Sequence, residues 1–137
     1  MTPTERRTQV INDLLEEKIA WHSGEMETAQ CMAHDERCVH MERAKAHKAH
    51  APEWLGPEFA KTDGVPTVIF QGTENIFIPM EHHEYVEDAT IGDPFLASKE
   101  KGEKIFERAS DNLAAFVAEV QKIKVDIKER DYDFRAF

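Results

Sequence analysis

The chain carries one clear β-strand pattern, and this shortage of strand signals constrains its fold more than any other feature. Two short apolar runs, at residues 67–70 and 75–78, flank a turn that contains Gly72, so they predict a β-hairpin. A hairpin alone is marginally stable in water, and its unpaired edge tends to pair with another strand. One hairpin and a few helices do not make a self-contained α/β sheet, so we expect part of the core to belong to another chain.

Amphipathic helices are predicted near both ends of the chain. Residues 1–20 open with a Thr-x-x-Glu capping box and a proline at the first helical position, and their apolar residues then repeat at helical spacing. A second helix is predicted from about residue 27 into the region of His34. The last helix follows the capping residue Ser98, and its apolar residues fall on one face through Lys122.

Charge and hydropathy exclude several classes of protein. The 137 residues include 17 Lys and Arg against 27 Asp and Glu, which gives a formal net charge of −10. Nucleic-acid binding depends on basic side chains that neutralise phosphates, so this balance argues against it. The apolar runs are too short to span a membrane, and no signal peptide opens the chain. We expect a single cytoplasmic domain.

Cysteine and histidine spacings give little support for a metal site. Cys31 and Cys38 are seven residues apart, which on a helix would separate them by about 10 Å, too far for a disulfide. They form no Cys-x-x-Cys pair, so a finger-type zinc site is not supported. His40, His47 and His50 could align on a helix face and chelate a metal, as in a small stand-alone metal binder. A solvated polar face is the alternative.

The densest group of chemically capable residues lies at 21–28, Trp-His-Ser-Gly-Glu-Met-Glu-Thr. One histidine, His22, and two carboxylates, Glu25 and Glu27, lie within six residues at a predicted loop-to-helix junction. A histidine beside a carboxylate can bind a metal, transfer protons or stabilise an anionic transition state. The structural alternative makes Glu27 an acid at the helix start and His22 an ordinary loop residue.

Three sequence blocks occur in an order and spacing shared with a known enzyme family. They are His-Ser-Gly-Glu-Met-Glu-Thr-Ala at 22–29, Val-His-Met-Glu-Arg-Ala at 39–44, and a run from Gly-Asp-Pro at 92–94 to Glu-Lys-Gly at 100–102. The first block resembles the His-Ala-Gly-x-x-Glu-Thr-Ser signature of the creatininase family of metal-dependent amidohydrolases. The second is similar to the stretch that follows that signature, and the third to the run before the family's last helix.

The resemblance implies an α/β fold with a largely parallel sheet and a two-metal site that hydrolyses a cyclic or linear amide. It gives His22 a role in contacting substrate and in moving a proton or stabilising the oxyanion, and it places Glu27 at or beside the metals. Glu25 is a second candidate catalytic carboxylate, with a charge at the helix start as its alternative role. His82 and His83 are candidate substrate contacts because they precede the Gly-Asp-Pro block, and an exposed polar loop is the alternative.

The chain departs from the family where the family binds its metals. Full-length members begin with a Glu-x-His…Asp motif that supplies most ligands, whereas no histidine precedes His22 here. Trp21 is a candidate substrate contact, and it stands where creatininase itself has an acidic residue, so creatinine is not the expected substrate. The chain thus resembles the carboxyl-terminal half of the layered fold: a single partial domain with a helix at 1–20, the family-like half at 21–122 and a charged, aromatic tail at 123–137.

The expected function is that of a small subunit of a creatininase-type hydrolase acting on a cyclic amide or related ring. The chain would contribute His22 and Glu27 to a shared two-metal site. An amino-terminal half-subunit would supply most ligands for Zn, Mn or Fe and would complete the sheet in a hetero-oligomer. The alternative is a non-catalytic assembly or regulatory subunit that keeps the packing surface of the fold.

Overall fold

A computed structural model describes residues 11–18 and 21–125 of the chain, which form a small mixed α/β fold. Three α-helices lie in this part of the chain: α1 at Glu25–Asp35, α2 at His82–Tyr85 and α3 at Lys99–Val120. Short 3-10 turns in the same residues span Asn12–Leu14, Glu36–Cys38, Met41–Arg43, Glu53–Leu55 and Pro94–Leu96. Within the described residues, no helix is both long and apolar enough to cross a membrane.

The predicted hairpin is confirmed, and it gains a third strand. Strands β1 (Phe59–Ala60), β2 (Thr67–Phe70) and β3 (Thr73–Phe77) form an antiparallel sheet in that order. The turn between β2 and β3 is shorter than predicted, since Gln71 and Gly72 both take positive φ, at 48° and 78°, as in the tight turns that suit hairpins. A two-residue turn joins only antiparallel strands, so the largely parallel sheet implied by the resemblance is not found in the described residues.

The core of the domain lies between α1 and α3. Ile105 of α3 and Ala29 of α1 are 1% and 0% exposed and pack together with Ile11. Half-buried apolar side chains complete this cluster: Leu14, Leu15, Met26 and Ala97. At Gly102 the two helices approach so closely that a Cβ atom would overlap the carbonyl group of Ala29. The glycine of the Glu-Lys-Gly block therefore has a packing role.

The predictions for α1 and α3 are confirmed, with small shifts at their ends. The first of these helices begins at Glu25, two residues before the predicted start. α3 begins after Ser98, whose Oγ accepts a hydrogen bond from the Lys101 N–H at 3.2 Å. It ends at Val120, two residues before the predicted end at Lys122. Capping and periodicity therefore located α3, the longer of the two helices that build the core.

From Phe106 to its end, α3 presents an apolar face to solvent. Its large apolar side chains are between 43% and 62% exposed: Phe106, Leu113, Phe116, Val117 and Val120. The predicted aromatic tail lies outside the described residues beyond residue 125. An apolar helix face of this kind is typical of an interaction surface.

The amino-terminal helix predicted over 1–20 is not present where the structure describes that segment. Residues 11–18 form a single 3-10 turn and no α-helix, and the rest of the predicted helix lies outside the described residues. The N–H groups of Glu16 and Glu17 donate to the carboxylate of Glu25, at 2.9 and 2.7 Å. A buried anion thus accepts the hydrogen bonds that a helix would have made with its own carbonyl groups.

The histidines and cysteines considered for a metal site do not share one helix. The backbone from residue 44 to 52 is not helical, because His47 and His50 pair their N–H groups with the carbonyl groups of Gly92 and Tyr85. This excludes the alignment of His40, His47 and His50 on a helix face. The end of α1 at Asp35 likewise separates the two cysteines onto different elements, and both are free and exposed: Cys31 and Cys38.

Candidate functional site

His22 is held by backbone pairing with a segment far along the chain. The His22 and Ile91 backbones form an antiparallel bridge in which the Ile91 N–H donates to the His22 carbonyl at 2.8 Å. The next residue, Gly92, forms a second bridge with His47, and its N–H donates to the His47 carbonyl at 2.8 Å. The residue just before the third family-like block is therefore paired with the first block, and one short segment, Ile91 and Gly92, fixes the backbones of two histidines.

The turn that follows His22 is closed by the carboxylate of Glu27. Ser23 takes a positive φ of 54°, and its N–H donates to Glu27 Oε2 at 2.8 Å. A Cβ atom on Gly92 would lie only 2.7 Å from Gly24 Cα, so a side chain there would displace the signature turn. Glu27 itself is exposed, and its carboxylate caps the turn from outside.

Glu25 lies in the interior and holds α1 to its surroundings. Its side chain is 0% exposed, and it is ion-paired with the Lys101 ammonium. Both of its carboxylate oxygens also accept N–H groups of the preceding segment, at Glu16 and Glu17. Burial on its own would lower the pKa of Lys101, but its bonds to the carboxylates of Glu25 and Glu16 raise it. These contacts favour the structural alternative for Glu25.

Glu17 joins the start of α1 to the Gly-Asp-Pro block. Its carboxylate accepts the N–H of Glu25 at 3.0 Å and the N–H of Asp93 at 2.7 Å. Burial raises the pKa of the Glu17 carboxyl, and the two N–H bonds oppose this only in part. The sequence pattern gave no sign of this role, because Glu17 fell on the polar side of a predicted helix.

Two of the predicted substrate contacts meet His22 in an aromatic cluster. The rings of His22 and His82 lie 5.1 Å apart between centroids, and the Trp21 ring lies 6.4 Å from that of His22. Tyr85 joins the cluster through its hydroxyl oxygen, which lies 2.9 Å from His82 Nδ1. His83, the neighbouring candidate, is exposed. The structure thus brings together Trp21, His22 and His82 and adds Tyr85, which sequence reasoning missed.

A buried lysine lies behind the tyrosine of this cluster. Lys61 is 4% exposed, and its ammonium lies 4.4 Å from the centroid of the Tyr85 ring. The ammonium also donates to the carbonyl groups of Val65 and Thr67. Burial lowers the pKa of Lys61, although the nearby carboxylate of Asp63 opposes that shift. Lys61 therefore places a fixed, partly compensated positive charge next to the histidine pair.

Burial and neighbouring charges also shift the pKa values of two rings in the cluster, those of His82 and Tyr85. Burial lowers the pKa of His82, and the nearby His22 and Lys61 lower it further. Burial, assisted by the carboxylate of Asp63, raises the pKa of the Tyr85 phenol. The environment therefore favours a neutral imidazole at His82 and a neutral phenol at Tyr85.

Two cavities flank the bridged segment. The first has a volume of about 480 Å³, and charged and polar side chains contribute to its lining: Glu17, Lys18, His47, Lys48 and Asp93. The second, of about 540 Å³, lies on the side of the signature turn and is lined by residues that include Ser23, Glu27, Cys31, His40 and Asp88. Space for a small molecule or for a partner's side chains therefore exists on both sides.

The described residues do not form a metal centre by themselves. Over 11–18 and 21–125, no group of three or more His, Cys, Asp or Glu side chains is placed so that it could hold a metal ion. Glu27, expected at or beside the metals, uses one oxygen to bind the Ser23 N–H. His47 Nε2 lies 3.1 Å from Asp88 Oδ2, a pair without a third ligand.

Comparison with known proteins gives one match. The family model described as "Creatininase: Creatinine amidohydrolase" matches residues 2–117. No curated protein and no solved structure matched the chain. The matched region contains all three family-like blocks, and it includes the His22 turn and most of α3. The family consists of amidohydrolases that in general use divalent metal ions. The chain belongs to the creatininase family.

Proposed function

We propose that this chain is a small subunit of a creatininase-type hydrolase that acts on a cyclic amide or related ring. The observation that carries the proposal is the placement of His22. Its backbone is fixed by the bridge to Ile91, while its ring is exposed and lies beside that of His82. A fixed backbone and an accessible imidazole are what a group that exchanges protons with a bound substrate requires.

The proposed role of His22 is proton transfer. In amide hydrolysis, water adds to the carbonyl carbon and loses a proton, and the C–N bond then breaks as the leaving nitrogen gains one. An imidazole can accept the first proton and deliver the second, because its two nitrogens serve as acceptor and donor. His82 and Trp21, which lie next to His22, are proposed to contact the substrate ring.

A second chain is proposed to complete the site. The family uses divalent metals in general, and the described residues form no metal centre of their own. An amino-terminal half-subunit would bring most ligands for Zn, Mn or Fe, and Glu27 would approach that shared site with the oxygen that does not bind Ser23. The exposed apolar face of α3 supports an assembly of this kind, because it provides a surface for another chain.

A non-catalytic assembly or regulatory subunit is the second candidate. It is favoured by the observation that both carboxylates of the 22–29 block serve the fold, Glu25 through Lys101 and Glu27 through the Ser23 N–H. In that case the motif persists because it builds the turn and the start of α1. The two candidates differ in whether the assembled protein needs the imidazole of His22.

The test starts from the assembled protein. The full chain is purified under native conditions from the cells that encode it, and mass spectrometry identifies any chain that co-purifies. The complex is then supplied with Zn²⁺ or Mn²⁺ and assayed on a panel of lactams. A metal-bearing partner and metal-dependent ring opening support the proposal, whereas a chain that is solitary and active without a partner contradicts it.

Two histidine variants then separate the candidates. We expect His22→Ala to lower kcat by about 100-fold or more, the typical contribution of a positioned acid–base group. His34→Ala is the matched control, because His34 is exposed at the opposite end of α1. Both variants should bind the partner equally well. A loss of less than about tenfold at His22 would favour the regulatory subunit.

A further inference from the structure

The pairing of Tyr85 with His82 assigns a defined role to a second imidazole. On the basis of the proposed function, we propose that Tyr85 is a positioning residue that fixes the tautomer of His82. The neutral His82 ring then donates a hydrogen bond through Nε2 to the carbonyl oxygen that becomes negative during hydrolysis. His22 moves the proton, and His82 holds the oxyanion.

The first step of the argument concerns the phenol proton. The Tyr85 hydroxyl lies 2.9 Å from His82 Nδ1, and Tyr85 as a whole is 8% exposed. If Nδ1 carried a proton and donated it to the hydroxyl, the phenol proton would need another acceptor. Among the described residues, this hydroxyl is paired with His82. A buried donor without an acceptor is costly, so the phenol donates and Nδ1 accepts.

The second step concerns the charge of His82. The groups that act on it are His22 from the signature turn, Lys61 after β1 and Tyr85 from its own helix, while Asp63 acts on Tyr85. Burial is the main factor that lowers the pKa of His82, and the nearby His22 and Lys61 act in the same direction. A neutral imidazole that accepts at Nδ1 carries its proton on Nε2. His82 is therefore a hydrogen-bond donor at the nitrogen across the ring from Tyr85.

The third step concerns where that donor lies. The His82 and His22 rings are 5.1 Å apart between centroids and are inclined by 59°. His22 is exposed and His82 is half-buried, so one small molecule can reach both rings. A neutral imidazole that donates to a developing oxyanion is an established form of electrostatic stabilisation, provided that the donor is oriented in advance. The Tyr85 hydroxyl provides that orientation.

Nuclear magnetic resonance of the full chain tests the tautomer directly. With ¹⁵N-labelled histidine, long-range ¹H–¹⁵N spectra distinguish a protonated Nε2 from a protonated Nδ1, and the signal lost in His82→Gln assigns the residue. We expect the Nε2–H form in the unmodified chain. A protonated Nδ1 would overturn the proposal without the need for any Tyr85 variant.

Tyr85→Phe tests the cause. The variant keeps the aromatic ring over Lys61 but removes the hydroxyl that binds the neutral form of His82. The His82 pKa should therefore rise, and the Nδ1–H tautomer should become populated. The amide spectrum of the rest of the chain reports whether the fold is kept. An unchanged His82 tautomer and titration in a folded variant would contradict the role given to Tyr85.

Kinetics of the assembled complex test the donor role. Tyr85→Phe should lower kcat by about tenfold with little change in KM, because the hydrogen bond to the oxyanion strengthens only in the transition state. A rise in KM with unchanged kcat would overturn that role. The tautomer measurement does not depend on activity, so an inactive complex would count against the proposed function alone.

Discussion

The carboxylate of Glu25 is buried and ion-paired with Lys101, so one charge pair joins the start of α1 to the first turn of α3. The Lys101 ammonium also donates to the carbonyl group of Leu96 at 2.8 Å. The pair joins the 22–29 block to the Glu-Lys-Gly block at 100–102, which are far apart in the sequence. Its contribution to the free energy of unfolding can be measured by substitution of Lys101.

Replacement of Lys101 by Met should destabilise the fold. It leaves the Glu25 carboxylate buried with only N–H donors, and loss of one partner of a buried pair costs about 3 kcal/mol or more. Urea unfolding of the full chain measures the change in the free energy of unfolding. Lys104→Met is the matched control, because the Lys104–Glu100 pair is exposed and should contribute less than about 1 kcal/mol. Equal effects of the two substitutions would contradict the anchoring role.

Stability should fall as the pH is lowered through the histidine range, because burial lowers the pKa of His82 in the folded protein. The unfolded chain then binds more protons than the folded chain. The contribution of His82 is therefore present above its unfolded pKa and is lost as the pH falls through its folded pKa. Urea unfolding between about pH 7.5 and 5 measures the slope. His82→Gln should flatten it and the exposed His34→Gln should not; a slope unaffected by His82→Gln would exclude this coupling.

Gly102→Ala should force α1 and α3 apart. The added Cβ atom would overlap the carbonyl group of Ala29, and both partners are helical backbone, which yields poorly. We expect a loss of about 2 kcal/mol or more in the free energy of unfolding, in the range for overpacked cores. Glu103→Ala, at an exposed neighbouring position on α3, should stay within about 0.5 kcal/mol. A neutral Gly102→Ala variant would show that the two helices can separate freely.

Ser98→Ala should weaken the start of α3. The Ser98 hydroxyl accepts the Lys101 N–H, and loss of such a cap costs about 1 kcal/mol. Ser110→Ala is the control, because Ser110 is exposed within the same helix and alanine is the better helix former there. Thermal unfolding should rank the two substitutions in opposite directions. The same ranking for both would contradict the capping role.

Caps, turns and apolar periodicity in the sequence located the helix and the hairpin that are determined by contacts between residues close together in the chain. Ser98 and the apolar periodicity that follows it located α3, and the turn at Gly72 located the hairpin. The helix predicted across residues 11–18 failed because its N–H groups bind Glu25, a long-range contact that periodicity does not report. The short helix α2 has no signal in the sequence, because its four residues are too few to show a helical period.

The residues of the candidate site also fall into two groups: those marked by a sequence motif and those brought together only by long-range contacts. His22 and Glu27 can be identified from the sequence because they belong to one compact block, and His82 because it precedes the Gly-Asp-Pro block. Tyr85 and Lys61 acquire their relation to His22 only when the sheet and α2 fold against the signature turn. Contacts of that range have no periodic or motif signal in a single sequence.

The double bridge at Ile91 and Gly92 has a consequence for how such a protein can diversify. It ties the backbone of His22 and that of His47 to one another through a few hydrogen bonds. The chain segment between the bridged residues His47 and Ile91, residues 48–90, contains the sheet, Lys61 and the His82–Tyr85 pair. Evolution can lengthen or replace that segment and so change what surrounds the imidazole, while the imidazole itself stays where it was.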